Sequence, residues 1–320
     1  MQKSKTAKAK SAQTKKNAAT AAKQEIADTL VKENEVNAKK SAPKKKPNKA
    51  KTPVVPTEKE DGEAVVEIAP EISGSASPVL NRIGGKMIAV HGAPNSGKTS
   101  VALKLAQEIY FSAGKTVIYL SPDLATPAMG YIFPNGKDSD LHSVGVALDK
   151  TDIYREDVLK QLVNVKTMRN FGLLGYKLGE NKYSYPRPTE DKVRELFGAA
   201  KEIADYVIVD CTCDKDDLIS EMAYSTSDMA VQVITPNVKC MAYYTSNEAP
   251  FHTNKTIVMN ICDNDLYLPI EEVKAHFKEV FCVLPYSRAL KQQSITGTLS
   301  EKLGDRKYHA KMSSLARKVI

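Results

Sequence analysis

Short apolar runs alternate along the chain with segments of helical periodicity. The runs lie at 87–90, 117–120, 206–209, 228–237, 255–260 and 279–286, and the segment 169–177 predicts another short strand. Apolar runs of this length are typical of strands buried on both faces, and the segments 189–204 and 271–278 between them are helical in pattern. This alternation predicts an α/β fold, a mostly parallel sheet with helices on both faces.

The composition changes along the chain. Of its 320 residues, the first 51 contain 15 Lys, no Arg and 4 acidic residues, and the first aromatic residue is Tyr110. Such a stretch cannot bury enough apolar surface to offset the entropy of ordering it. We therefore predict a disordered basic tail and a Pro-containing acidic linker over 1–80, with a short helix at 24–36, and a folded domain over 81–320.

The Lys-rich tail suggests several roles. It could be a soluble tether, bind nucleic acid through its charge, attract an anionic membrane surface, or hold a protein partner. Lys without Arg or aromatic residues argues against base stacking or sequence-specific recognition of nucleic acid.

The chain shows no apolar core of a secretory signal and no run of about 18 apolar residues that would predict a membrane span. Five cysteines in a long chain fit a reducing compartment better than a disulfide framework. We expect a cytoplasmic protein, at most peripheral to a membrane.

The segment HGAPNSGKTS, residues 91–100, fits the phosphate-binding loop pattern G-x-x-x-x-G-K-[ST]. It follows the apolar strand 87–90 and precedes a predicted helix in which Val101, Leu105 and Ile109 recur every four residues. Phosphate binding by such a loop requires this order of strand, loop and helix. A Gly-rich turn before a helix is the alternative. The predicted nucleotide-binding residues are Gly92, Ala93, Pro94, Asn95, Ser96, Gly97, Lys98, Thr99 and Ser100.

Each position in the loop has a physical reason. Gly92 and Gly97 permit backbone conformations that a side chain would block, so that successive amide groups can surround phosphate oxygens. We expect Lys98 to contact the β- and γ-phosphates and the Thr99 hydroxyl to ligate Mg²⁺.

Two acidic residues follow other predicted strands. Asp210 ends the apolar run 206–209, as a Walker B aspartate does, and is the predicted second Mg²⁺ ligand. Asp123 follows the run 117–120 and would orient the attacking water. The alternatives are an ordinary strand-end aspartate and a plain Ser-Pro-Asp turn. Ligands of parallel sheets bind at the carboxyl ends of the strands, where these aspartates and Asn260 fall.

In their order, these motifs resemble the MinD/ParA group of P-loop ATPases, and within it the CpaE/TadZ-like pilus-assembly and localisation proteins. The resemblance covers about 85–290 and rests on MIAVHGAPNSGKTSVALKLAQEI, TVIYLSPDLATPAM, DYVIVDCT, VQVITPNVKCMAYYTSN, IVMN and VLPY. It implies ATP and Mg²⁺ as ligands and an Asn260 that contacts adenine.

The sequence departs from the group's pattern at two positions. The signature Lys that reaches the partner subunit's phosphates is replaced by Ala93, and the first Asp of D-x-D is replaced by Ser121. Dimer-dependent hydrolysis is therefore less expected than ATP binding.

The function predicted is that of an ATP-binding, slowly hydrolysing ATPase that positions or regulates assembly of a pilus, secretion or conjugation machine. Lys98, Asp123 and Asp210 would be its catalytic residues, and its partners a nucleotide-dependent second copy and a protein of that machine. The alternatives are a DNA-partition ATPase that uses the basic tail, and a nucleotide-binding scaffold without turnover. A small-molecule kinase would need an Arg-rich lid, which the sequence lacks.

The C-terminal segment DRKYHAKMSSLARKVI is a basic amphipathic helix in pattern. Tyr308, Met312, Leu315 and Val319 fall on one face. Docking of this face on the domain is favoured over membrane binding, because the face has no Phe or Trp anchor.

Overall fold

The structure is a computed structural model that describes residues 84–132, 142–165, 167–247, 252–264 and 268–320. The predicted tail, the acidic linker, the helix at 24–36 and the boundary near residue 80 lie outside these residues and stay predictions.

Eight strands form one sheet, in the order β3-β4-β2-β5-β1-β6-β7-β8. All neighbouring strands are parallel except β3 and β4, which pair antiparallel at one edge. The strands are β1 (Lys86–Gly92), β2 (Val117–Ser121), β3 (Val163–Val165), β4 (Met168–Gly175), β5 (Tyr206–Asp210), β6 (Met229–Ile234), β7 (Lys255–Asn260) and β8 (Val280–Leu284). The predicted parallel sheet is thus confirmed.

Ten helices occur among the described residues. They are α1 (Lys98–Ala113), α2 (Met129–Ile132), α3 (Val144–Leu148), α4 (Arg155–Gln161), α5 (Glu190–Ile203), α6 (Leu218–Thr226), α7 (Val238–Ser246), α8 (Ile270–Phe277), α9 (Arg288–Thr296) and α10 (Arg306–Val319). The helices predicted at 189–204 and 271–278 correspond to α5 and α8. None of the helices in the described ranges is long and apolar enough to cross a bilayer.

Alternate residues of the strands supply the cores on the two faces of the sheet. On one face, residues such as Val90, Tyr119 and Val231 pack against α1 and α10. On the other face, Ala89, Leu120 and Val209 pack against α5 and α6, and a smaller cluster lies under α7 and α8. Helices therefore cover both faces, as the apolar runs predicted.

Helix α1 is buried on its polar face as well as on its apolar face. Besides Val101, Leu105 and Ile109, the polar residues Lys104 and Glu108 are 5% and 6% exposed. Lys104 Nζ donates to the Leu299 and Glu301 carbonyls, both at 2.7 Å. Because the C-terminal part of the chain covers α1, backbone carbonyls accept from Lys104, and the Ser313 hydroxyl of the last helix donates to Glu108.

Helix α10 docks on the domain through its apolar face. Tyr308, Met312, Leu315 and Val319 are each at most 3% exposed. His309 also lies 3.0 Å from Glu108 of α1, measured between Nε2 and Oε2. The prediction that this helix packs against its own domain is confirmed.

The docking of α10 can be tested by truncating its central apolar side chain. Leu315 is fully buried, so Leu315→Ala should lower the free energy of unfolding by about 2–5 kcal/mol through lost burial and the remaining cavity. The matched control Arg317→Ala changes an exposed residue of the same helix and should stay within about 0.5 kcal/mol. Equal unfolding midpoints in urea for the two variants would contradict the docking.

Candidate functional site

The predicted loop forms a tight turn between β1 and α1, at the carboxyl edge of the sheet. The Ser96 amide donates to the Ala93 carbonyl at 3.1 Å, and the helical hydrogen bonds begin with Val101 donating to Gly97. Asn95 and Gly97 have φ angles of 60° and 77°. Positive φ is tolerated by Asn and Gly, which explains these residue types at the two positions.

The two loop glycines are required by close packing. A Cβ on Gly92 would lie 2.5 Å from the Val233 carbonyl oxygen, and one on Gly97 would lie 2.4 Å from the Asn260 amide nitrogen. The backbone reason given from the sequence applies at Gly97, whose φ is positive, whereas Gly92 is restricted by the adjacent strand β6.

Lys98 begins α1 and directs its ammonium group across the loop. Its Nζ lies 3.1 Å from Cys213 Sγ, and the same sulfur lies 3.2 Å from the Gly92 carbonyl oxygen. Burial alone would lower the pKa of Lys98, but Cys213, Asp210 and Asp123 outweigh it and raise that pKa above its ordinary value. The side chain therefore stays positively charged at neutral pH.

Asp210 stands at the end of β5 beside the loop, because Val90 of β1 pairs with it in register. It is 4% exposed, its Oδ2 accepts a 2.9 Å hydrogen bond from the Tyr119 phenol, and its Oδ1 has no partner. Burial raises the pKa of Asp210 to about 6, although the Thr99 hydroxyl, Lys98 and Tyr119 oppose that shift.

The chemistry of this cluster fits a divalent cation. Among the described residues, three buried polar atoms without a partner come from the loop and from the ends of β2 and β5, namely Ser96 Oγ, Ser121 Oγ and Asp210 Oδ1. Buried polar groups are usually paired, so a buried carboxylate oxygen without a protein partner, close to the Thr99 hydroxyl, is compatible with a cation ligand role. Hydroxyl and carboxylate oxygens are ligands that Mg²⁺ prefers.

Asp123 lies after β2 and holds a turn together. Its Oδ1 accepts from the amides of Ala125 and Thr126 at 3.0 and 2.8 Å, and its Oδ2 accepts from the Thr126 hydroxyl at 2.7 Å. The turn interpretation applies, and the carboxylate also contributes charge near Lys98 and Asp210. Its part in catalysis stays a prediction.

Asn260, at the end of β7, lies beneath the loop. It is 4% exposed, and its Nδ2 donates to the Ser96 carbonyl oxygen at 2.9 Å and lies 3.3 Å from Cys262 Sγ. In this position the amide group supports the loop backbone. The predicted contact with adenine stays a prediction.

The remaining loop residues differ in exposure. Ala93 is fully buried and packs in the cluster under α7 and α8 with Ile234 and Met259, whereas Pro94 and Asn95 are exposed. Only the backbone of Ala93 is therefore positioned to meet a ligand. The Ser100 hydroxyl, on the first turn of α1, lies 3.4 Å from that of Ser294.

A cleft of about 660 Å³ adjoins this site at the same edge of the sheet. Its lining includes Tyr176, Tyr183 and Tyr185 from the segment after β4, and Asp214 and Asp217 from the segment after β5. Asp123, which is predicted to orient the attacking water, also lines this cleft.

The sequence interpretation did not single out Tyr119 or Cys213 as parts of this site. Tyr119 was treated only as part of an apolar strand, although strand alternation places it on the same face as Ser121. Cys213 lies three residues after Asp210, and its sulfur contacts Lys98. His91, at the end of β1, packs edge-on against Tyr224 with ring centroids 4.3 Å apart.

The His91 imidazole is electrically neutral in this environment. Burial, together with the charges of Lys255, His252 and Lys98, lowers the pKa of His91 to about 3. Its Nε2 is buried without a partner. These properties agree with packing rather than acid–base catalysis.

No model of a known protein family matches the sequence, and no curated protein matches it significantly. Solved structures do match. The cell division ATPase MinD of Pyrococcus furiosus is 18% identical, with a TM-score of 0.56 over 73% of this chain and 98% of that one.

Two further structures give the same result. The septum site-determining protein MinD of Pyrococcus horikoshii, complexed with Mg-ADP, is 15% identical with a TM-score of 0.56, over 73% of this chain and 96% of that one. A ParA family ATPase of Chlorobium tepidum is 13% identical with a TM-score of 0.56, over 73% and 98%. At such identities the likeness concerns architecture, and the chain has the fold of the MinD and ParA ATPases.

Proposed function

We propose that this protein binds ATP with Mg²⁺ at the loop Gly92–Thr99 and hydrolyses it slowly. The observation that carries the proposal is the meeting of Lys98 and the loop with Asp210, a buried carboxylate whose Oδ1 has no partner. A buried ionisable group of this kind beside a lysine and a Gly-rich turn is best explained by a bound phosphate and cation.

The loop residues would bind the phosphates mainly through their backbone. The first amides of α1 have no partners within the helix, and the helix dipole favours negative charge at this end. Lys98 would exchange its contact with the Cys213 sulfur for phosphate oxygens. A thiol is a weak acceptor, so this exchange requires little free energy.

Thr99 and Asp210 would hold Mg²⁺, which neutralises charge on the β- and γ-phosphates when bound. Lys98 and the loop amides would then stabilise the charge that develops as phosphate is transferred to water.

Asp123 would orient that water. Its two oxygens already accept three hydrogen bonds from the turn, which leaves limited capacity for a water molecule. Buried Ala93 offers no charge to a second copy of the chain. Both features support slow turnover.

The output we propose is spatial, with nucleotide state controlling a surface for a second copy or for a protein of a pilus, secretion or conjugation machine. CpaE/TadZ-like segments in the sequence support this choice, and one structure of the same fold is described as septum site-determining. We place the protein in the cytoplasm, at most peripheral to a membrane.

Two alternatives share the same binding site. A nucleotide-binding scaffold without turnover is favoured by Ala93 and Ser121. A DNA-partition ATPase would depend on the Lys-rich segment 1–80, since charge contacts with phosphates give salt-sensitive binding. Deleting 1–80 should then abolish salt-sensitive DNA binding in a filter or anisotropy assay, and unchanged binding would count against that role.

ATP binding should depend on Lys98. In calorimetry with Mg²⁺, Lys98→Ala should weaken ATP affinity by at least about tenfold, because a charge-assisted contact to phosphate is lost. Lys115→Ala, which changes an exposed lysine beyond the other end of α1, should leave the affinity unchanged. If the intact protein binds no ATP, the proposal fails.

Turnover should depend on the charge of Asp123. Asp123→Asn keeps an oxygen for the Ala125 and Thr126 amides, so ATP affinity should change by less than about threefold while phosphate release falls by about tenfold or more. Asp216→Asn, in the segment after β5, is the matched control. Absence of phosphate release from the intact protein would favour the scaffold instead.

A further inference from the structure

We propose that Tyr119 is a positioning residue for Asp210, whose phenol holds Oδ2 and so leaves Oδ1 for the metal–nucleotide complex. This inference rests on the proposed function and adds to it a residue outside the phosphate-binding loop and the predicted metal ligands.

Strand order brings the two residues together. β2 lies next to β5, with Tyr119 opposite Ile208 in the parallel register, and Asp210 is two residues further along β5 on the same face. A tyrosine ring lying along the strands spans that distance. The phenol oxygen reaches Asp210 Oδ2 at 2.9 Å although the residues are 91 positions apart.

The contact lies in a dry part of the molecule. Tyr119 is fully buried, and Asp210 is 4% exposed. Hydrogen bonds to a charged group in such surroundings are among the stronger ones, and an unpaired buried carboxylate oxygen is costly. The Tyr119 hydroxyl therefore fixes the rotation of the carboxylate and determines which oxygen lacks a donor.

Ser121, two residues after Tyr119 on β2, adds no charged group beside Asp210. Ser121 is on the same face of β2 as Tyr119, is 1% exposed, and brings a small hydroxyl instead of a second carboxylate. Asp210 is thus held by one neutral donor on the β2 side, while Lys98 and Thr99 approach it from the loop side.

Tyr119 also packs in the core between the sheet and α1, so its ring has a structural role. The hydroxyl and the ring can be separated experimentally, because Tyr119→Phe keeps the ring and removes only the donor. The matched control is Tyr244→Phe, which removes a phenol that donates to the Val233 carbonyl oxygen at 3.3 Å on the other face of the sheet.

The experiment measures ATP affinity of the full chain by calorimetry, once with saturating Mg²⁺ and once with EDTA. Tyr119→Phe should weaken the Mg²⁺-dependent affinity by about tenfold, since a hydrogen bond to a charged group is lost, and leave the metal-free affinity within about twofold. Tyr244→Phe should change neither affinity. Both variants should still show a cooperative thermal unfolding transition without nucleotide, with the larger decrease in Tm for Tyr119→Phe, because its phenol pairs with a buried carboxylate.

A double-substitution cycle tests whether Tyr119 acts through Asp210. In an Asp210→Asn background, Tyr119→Phe should have no further effect on the Mg²⁺-dependent affinity. A further loss in that background, or an unchanged Mg²⁺ dependence in Tyr119→Phe alone, would overturn the inference.

Two other outcomes are informative. If Tyr119→Phe does not fold, Tyr119→4-fluorophenylalanine retains the ring and nearly the shape of the phenol without a donor. Failure of both variants to fold would make the hydroxyl a requirement of the fold and overturn the positioning role. If the intact protein does not bind ATP, the proposed function is refuted. If the intact protein binds ATP and Tyr119→Phe binds it equally well with Mg²⁺, only the inference about Tyr119 is refuted.

Discussion

The parallel pairing of β1 with β5 is the constraint on which the proposed nucleotide site depends. Val90 lies opposite Asp210, and the Cys211 amide donates to the Val90 carbonyl at 2.9 Å. The loop that follows Val90 therefore begins beside a carboxylate. β2 flanks β5 on its other side, so its residues reach the same carboxylate from the opposite direction. A shift of one residue in this register would turn the Asp210 side chain to the other face of the sheet.

The two charged groups at this edge, Lys98 and Asp210, have weak or few protein partners. Lys98 is held by a sulfur, a weak acceptor, and Asp210 by one phenol. Both groups are ordered before any ligand arrives, yet neither is fully satisfied. Preordered but incompletely paired groups are the arrangement that a phosphate and a cation can complete at small cost.

Binding and turnover place different demands on this chain. The loop, Lys98, Thr99 and Asp210 form one continuous group at the ends of β1 and β5, which suits binding. Asp123 instead accepts hydrogen bonds within its own turn, which limits its capacity to orient water. Ala93 faces the core and offers no charge to a phosphate. This division is the physical basis for proposing a slow, state-dependent protein rather than a fast enzyme.

Patterns in the sequence were enough to predict the parallel sheet, the Gly-rich loop between β1 and α1, the strand-end aspartates and the docking face of α10. These predictions rest on apolar periodicity and on the spacing of Gly92 and Gly97 in the loop motif, both of which lie within short segments of the chain. The tertiary structure alone decided that Tyr119 reaches Asp210 and that Asn260 lies 2.9 Å beneath Ser96, a residue 164 positions away. Such contacts depend on strand order and register, which no local pattern encodes, because they form only when distant segments become neighbours in the sheet.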